Sequence, residues 1–387
     1  MMRTSIALLA LFLFIECNPA VLVVTAFSTT TTPAATATAN NAWQSPSAWE
    51  EELCEISQPL DVARAGISES LDVLKRDGVV RLNPTFFRVD EKLCAALRDR
   101  LLSEINSPFN DKGDQVDKTY VPGTRIRPGR GAIDLAFGGD ARHDVLLPLN
   151  DENFSELRPV LESAARQLEP LLLEAADEIL PRLHGRSDAC ENDLSDVELV
   201  EVGSLVVRQG SGHQGIHGDY RRFHEENNNI RGSQREESFA NTKARSGKLP
   251  PRLVTFVALQ DIPTKEHGAT GFVTGTHTSY AHEIIYGESD NKDDDELVTK
   301  ARKMVLQSST SGVRTSSGIR RGEMLIYDAS VLHWGGANSI PNNDRALLYF
   351  GISPPGAAAL LGQHQPPLKG FEIVAPIVLR DVVTSPQ

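Results

Sequence analysis

The sequence predicts an α+β domain, a β-barrel or double-sheet core with helices packed along one side. Apolar residues recur at helical spacing up to about residue 183, and after Asp196 they fall in short runs separated by Gly, Pro and Asn. Helices first and strands later is the order of an α+β fold. The composition agrees: of 387 residues, 40% are hydrophobic and 24% charged, as in a soluble globular chain. Lys+Arg 39 against Asp+Glu 52 gives a net charge of −13. That balance does not supply the basic surface that duplex DNA or an anionic membrane needs. Cys17, Cys54, Cys94 and Cys190 share no metal-ligand spacing, which excludes a disulfide framework and a cysteine zinc site.

Taken in order, Arg3 precedes an apolar run, Ile6 to Ile15, too short for a stable membrane span. With Val21 to Val24 and small residues before Phe27, residues 1–26 are expected to be a secretory signal peptide. Residues 27–60 form a Ser/Thr/Ala-rich targeting or linker segment, uncharged from Ser28 to Trp49. This arrangement resembles the two-part plastid targeting sequences of algae with secondary plastids. No Arg or Lys lies between Arg3 and Arg64, so secretion and endomembrane residence stay open.

The folded domain is expected over 61–380. Val62 to Arg76 reads as a helix, Val79 to Leu82 as a strand, and Val89, Leu93, Leu97 and Leu101 mark a second helix. Asn106 to Gly139 reads as loop, and Glu156 to Leu183 as a third helix. Strands are expected at Glu198–Arg208, Arg252–Leu259, Thr270–Thr274, Glu323–Tyr327 and Ala346–Ile352. Mobile polar insertions are expected at 225–248 and 287–322, the second with an acidic run and a short helix near Leu297 to Leu306.

Ten histidines compete for attention. His217 and Asp219 stand two apart just beyond a strand, so on an extended segment both point to one side. A third ligand must come from elsewhere, and His333 follows the apolar strand ending at Tyr327. Two imidazoles and one carboxylate on one face, with the opposite face open, suit non-haem Fe(II) and a bidentate co-substrate with dioxygen. Twelve residues later, Arg345 opens an apolar strand, where burial of its head requires an anion. A guanidinium holds a carboxylate bidentately, so the far carboxylate of 2-oxoglutarate fits there. His213 and His224 flank the motif; the remaining histidines read as surface or structural. Arg208, Tyr220, Arg221, Arg222 and His224 surround it with cationic and aromatic groups, which suits a small acidic metabolite or acyl conjugate.

With these residues in place the sequence resembles the phytanoyl-CoA dioxygenase-like Fe(II)/2-oxoglutarate-dependent oxygenases. The likeness rests on the blocks Asp77–Leu82, Gln214–Asp219, Val257–Asp261 with His267–Ala269 and Val273–His277, and Gly322 through His333 and Asn338 to Arg345. The third block departs from the family by carrying His267, Thr274 and Thr276. The resemblance implies a double-stranded β-helix (jelly-roll) core with helices on one sheet. It implies Fe(II) held by His217, Asp219 and His333, and a co-substrate pocket of Arg345, Gln214, Asn338 and Trp334. Dioxygen and 2-oxoglutarate are then converted to succinate and CO2 as a C–H bond of a small molecule is oxidised, with ascorbate as reductant. The carboxylate at 219 favours hydroxylation over halogenation. Other readings are a protein or peptide hydroxylase on the same core, a non-catalytic jelly-roll binding protein, and a zinc hydrolase, which leaves Arg345 without a role.

Overall fold

The computed structural model describes residues 53–63, 66–106, 115–116, 124–126, 133–137, 141–147, 155–175, 197–219, 251–277, 312–354 and 377–378. The first described long helix, α1 (Gly66–Asp77), places Leu71 and Leu74 inward and Lys75 and Arg76 in its last turn, where they meet the negative end of the helix dipole. Gly78 stops it with φ 76°, its N–H bonding the Leu74 carbonyl at 2.9 Å. A side chain there would strike His277 and Val331, so glycine is required by space as well as by dihedral. Helix α2 (Glu91–Asn106) begins one residue after Asp90, whose carboxylate accepts from the Lys92 N–H at 2.7 Å as an N-cap. Helix α3 (Leu157–Ala175) turns Val160, Leu161, Ala164, Leu168 and Leu172 inward.

The strands run β1 (Gln58–Pro59), β2 (Val79–Arg81), β3 (Gln115–Val116), β4 (Thr124–Ile126), β5 (Ile133–Phe137), β6 (Arg142–Leu146) and β7 (Glu198–Val207). They continue with β8 (Leu253–Ala258), β9 (Thr270–Val273), β10 (Val313–Thr315), β11 (Met324–Asp328), β12 (Leu332–Gly335), β13 (Arg345–Ser353) and β14 (Ile377–Val378). The larger sheet has the order β2-β11-β8-β13-β7-β6-β5-β4-β3, with β14 also on β7, and its pairings are antiparallel. The smaller sheet is β1-β10-β9-β12, antiparallel except for β1 on β10.

Alternation in β13 sets the layers. Ala346, Leu348, Phe350 and Ile352 join the core formed with the three helices, while Leu347 and Tyr349 join a second core with Phe272 and Ala269 from the smaller sheet. The two sheets therefore face each other across that second core, with the helices outside the larger one. A third apolar cluster, including Leu332, Trp334, Val273 and Ile216, covers the outer side of the smaller sheet.

The structure departs from the expected elements at several places, beginning with the end of the 27–60 segment, expected as linker, where Leu53 and Cys54 are buried and Gln58–Pro59 pairs with β10. The stretch 106–139, expected as loop, contains β3, β4 and β5, which extend the larger sheet beyond β6. Strands of two to five residues show too little alternation to be seen in sequence, and here an existing sheet edge supplies their partners. The expected insertion at 287–322 lies outside the described residues up to 311, but its end is structural: β10 pairs with β9 through Val313↔Val273 and Thr315↔Gly271. The segment Leu332–Gly335, expected only to carry His333, is itself a strand of the smaller sheet. Residues 1–52, the insertion at 225–248 and the 297–306 helix lie outside the described residues. No helix among the described residues is long and apolar enough to cross a membrane.

Candidate metal centre

After β7 the chain turns back along β12. Gln214 N–H bonds the Gly335 carbonyl at 2.9 Å, His217 and His333 exchange backbone hydrogen bonds of 2.9 and 2.7 Å, and Asp219 N–H bonds the Ala329 carbonyl at 3.0 Å. This antiparallel laddering sets the His217 ring 4.5 Å from the His333 ring and brings Asp219 to the same side. Imidazole and carboxylate atoms of His217, Asp219 and His333 lie within 4.8 Å of one another, a group able to hold a metal ion. His333 is buried, His217 half-buried and the Asp219 side chain 30% exposed.

The hydrogen bonds assign the ligating atoms. His217 Nδ1 lies 2.9 Å from the Gly215 carbonyl, and His333 Nδ1 lies 3.0 Å from the Val331 carbonyl. A carbonyl only accepts, so each Nδ1 carries its proton and each Nε2 keeps its lone pair for a cation. Asp219 Oδ2 accepts from the Tyr327 hydroxyl at 3.1 Å, while Oδ1 lies 3.3 Å from His333 Nε2. Burial, reinforced by His333, pulls His217 down to about 4, so it is neutral at neutral pH. Burial pushes the Asp219 carboxyl up, but His333, His217 and the Tyr327 hydroxyl outweigh it and the net shift is down. For His333 burial acts downward and the adjacent Asp219 carboxylate prevails, raising it.

Arg345 begins β13 fully buried. Its Nη1 is 3.4 Å from Thr270 Oγ1, while Nε and Nη2 have no hydrogen-bond partner among the described residues. Burial and then the charge of Arg142 lower its pKa to about 9. Arg142, on β6, is also buried and is brought to about 10 by burial. Its Nη2 donates to the Gly212 and Gly336 carbonyls, each at 2.9 Å, and to Ser211 Oγ at 3.2 Å, while Nη1 is unsatisfied. Each unpaired buried cation costs on the order of several kcal/mol, against a whole-domain stability of about 5–15 kcal/mol. Two of them together call for an anion. Thr270, which the guanidinium meets, and Phe272, which is paired with His333, are two residues or about 7 Å apart on β9 and share a face.

The structure separates the remaining pocket candidates. Gln214 Oε1 accepts from Gly335 N–H at 2.8 Å and steadies the segment that carries His217. Asn338 is fully buried and spends its amide on the Val207 and Asn343 carbonyls, at 2.8 and 2.6 Å, latching β7 to the turn before Arg345. Trp334 does not line the co-substrate pocket expected of it. Its neighbour His333 faces inward, so on a strand Trp334 must face out, and it packs over Gly271 in the outer cluster. His213 accepts from Ala337 N–H at 3.1 Å. Tyr220, Arg221, Arg222 and His224 lie outside the described residues.

Two residues beside the candidate site were not legible in the sequence. Arg142 followed a stretch expected as loop, and Tyr327 looked like one more apolar strand residue. The one available signal was polarity: an Arg and a Tyr at inward positions of alternating strands.

No protein-family model and no curated protein matches the chain. Solved structures do resemble it. The crystal structure of AviO1 from Streptomyces viridochromogenes Tue57 is 14% identical, the alignment covering 76% of this chain and 98% of AviO1, with a TM-score of 0.43. The non-heme alpha ketoglutarate dependent carbocyclase SnoK from nogalamycin biosynthesis is 13% identical, with 79% and 94% covered and a TM-score of 0.42. HygX from Streptomyces hygroscopicus, solved with nickel and 2-oxoglutarate bound, is 17% identical, with 75% and 88% covered and a TM-score of 0.38. Likeness at this level carries no functional argument; the geometry of the site has to supply it.

Proposed function

We propose that the protein is an Fe(II)- and 2-oxoglutarate-dependent dioxygenase that oxidises, by hydroxylation, a C–H bond of a small molecule, and that its core is a phytanoyl-CoA dioxygenase-like jelly roll. One observation carries the reading: on β9, one strand repeat separates Phe272, paired with a histidine of the two-imidazole, one-carboxylate cluster, from Thr270, which a buried guanidinium with two unsatisfied donors meets. The donor set fits ferrous iron, since it is neutral nitrogen and anionic oxygen on one side with the other side open. The orphaned guanidinium fits the far carboxylate of a dicarboxylic co-substrate, which a zinc hydrolase would not need.

When bound, the iron supplies the dioxygen chemistry that couples 2-oxoglutarate decarboxylation to C–H oxidation, giving succinate, CO2 and the alcohol. The chain's residues do the positioning. His217, Asp219 and His333 hold the ion through Nε2, Oδ1 and Nε2. Arg345 meets the distal carboxylate, and the unsatisfied Nη1 of Arg142 adds positive charge beside it. Leu347 and Phe272 in the inter-sheet core keep bulk water from the anion's path, which strengthens each charge–charge contact. The half-exposed side of Asp219 leaves an approach for substrate.

The test is succinate formation from 2-oxoglutarate with purified protein, Fe(II) and ascorbate, read across a panel of candidate metabolites. Turnover that requires Fe(II) and dioxygen and rises with one metabolite supports the reading. No succinate from a metal-loaded protein on any substrate counts against it. We also infer entry to the secretory route from the N-terminal segment, a reading supported by Arg3, the Ile6–Ile15 run and the small residues before Phe27. N-terminal sequencing of the mature protein should then begin at Phe27.

A further inference from the structure

Each of the three ligands offers two atoms to an ion, and in each the protein takes one away. Gly215 and Val331 carbonyls hold the Nδ1 atoms of His217 and His333, and the Tyr327 phenol holds Oδ2 of Asp219. For the histidines the holder is backbone. For the carboxylate it is a side chain, more deeply buried than the group it holds.

Tyr327 lies on β11 between two neighbouring strands, paired with Val254 on one side and Val79 on the other. Its ring is 2% exposed and is set edge-on to Phe256 at 5.1 Å, 5.3 Å from Phe272 and 5.2 Å from His333. A phenol gripped by three rings cannot follow a moving partner. Asp219 lies on the segment laid along β12, whose backbone is held by the Gln214 N–H bond to Gly335, the His217↔His333 bridge and the Asp219 N–H bond to Ala329, while its side chain is 30% exposed. A carboxylate on such a segment samples several rotamers unless something fixes it, and each unproductive rotamer lowers the fraction of protein ready to bind the ion.

We propose that Tyr327 is the positioning residue of the metal centre: its hydroxyl holds Oδ2 of Asp219 so that Oδ1 is presented to the ion beside the two Nε2 atoms. The role rests on the metal-centre reading of the site and adds a residue of this chain to it. In this role Tyr327 acts through Asp219, the acceptor of its hydroxyl.

That dependence is what the experiment reads. Ni(II) is the probe, since it binds imidazole sites more tightly than Fe(II) and stays measurable when a ligand is lost. Calorimetric titration is carried out on the full chain and on Tyr327→Phe, Asp219→Ala and the double variant. Tyr327→Phe keeps the ring and its packing and removes only the tether, so Ni(II) affinity should fall by about 10–100-fold, the usual effect of removing a group that orients a ligand. In the Asp219→Ala background the same change should alter affinity by less than about twofold, because nothing remains to be held. An equal loss in both backgrounds would mean that Tyr327 acts on the fold or on His333, and an unchanged affinity in the single variant would mean that the bond does not position the ligand; either overturns the proposal while leaving the metal centre intact. Failure of the unaltered protein to bind Ni(II) overturns the metal centre and this role together.

Discussion

The two faces of β13 differ more than any two helices of the molecule. One face, Ala346, Leu348, Phe350 and Ile352, is wholly apolar and buried against α1, α2 and α3. The other, whose residues recur about 7 Å apart along the strand, carries Arg345, Leu347 and Tyr349 toward the smaller sheet. The outer face gains free energy by leaving water. The inner face gives some of it back: Arg345 is buried without a full set of partners, and Tyr349 must find the Asp144 carboxylate, 2.8 Å away, to satisfy its hydroxyl. Stability and chemistry are thus divided across one strand by its period of two.

Substitutions on the two faces should separate cleanly. The largest effect belongs to the ion's own ligands: His333→Ala should abolish metal-dependent succinate formation, and residual turnover at the wild-type rate would remove His333 from the centre. On the outer face, Leu348→Ala should cost about 2–5 kcal/mol in chemical denaturation, with Ni(II) affinity of the remaining folded protein unchanged. On the inner face the pattern should invert. Arg345→Met removes a charge whose burial is uncompensated, so the protein without co-substrate should be as stable as wild type or more so. Its 2-oxoglutarate requirement should rise about 100-fold, taking 2–3 kcal/mol for the loss of a buried charge pair. A destabilised Arg345→Met with unaltered co-substrate requirement would place that guanidinium in the scaffold.

The most gradual effect is in pH. His217 is held down at about 4 by burial, and the Asp219 carboxyl lies below its ordinary range through its His333, His217 and Tyr327 neighbours, so neither carries a proton for a metal to displace in mildly acidic solution. His333, raised by Asp219 above the ordinary imidazole value of about 6.5, does. Metal affinity should fall by one decade per pH unit below the raised His333 value and down to about 4, where His217 begins to add its own proton. Two decades per unit across that window would show two ordinary histidines. Folding stability has the matching sign for His217: its depressed value contributes stability above about 6.5 that is lost as pH falls toward 4.

Much of the scaffold was legible because it is local. Leu97 and Leu101 recur at helical spacing and are buried in α2, and the apolar run Met324–Tyr327 is β11. His217 and Asp219 could be paired for the same reason, two residues apart on an extended segment. Trp334 shows where locality ends. The family resemblance implies a pocket residue there, yet on a strand Trp334 faces opposite to its neighbour His333. The meander β3 to β5 is another case, since its strands exist only through hydrogen bonds to one another and, through β6, to β7.

The amino-acid order alone determined which residues could share a face, because backbone periodicity depends on nothing outside the segment: helical stripes, alternating strands, and a histidine and an aspartate side by side. Which face turned inward was decided only when two sheets closed on each other. Packing of Phe256, Phe272 and Tyr327 then fixed a phenol on Asp219, and the pairing of β6 with β7 brought a second arginine beside Arg345. Contacts of that kind join residues up to about two hundred positions apart, and their energy comes from shared burial that no single segment possesses.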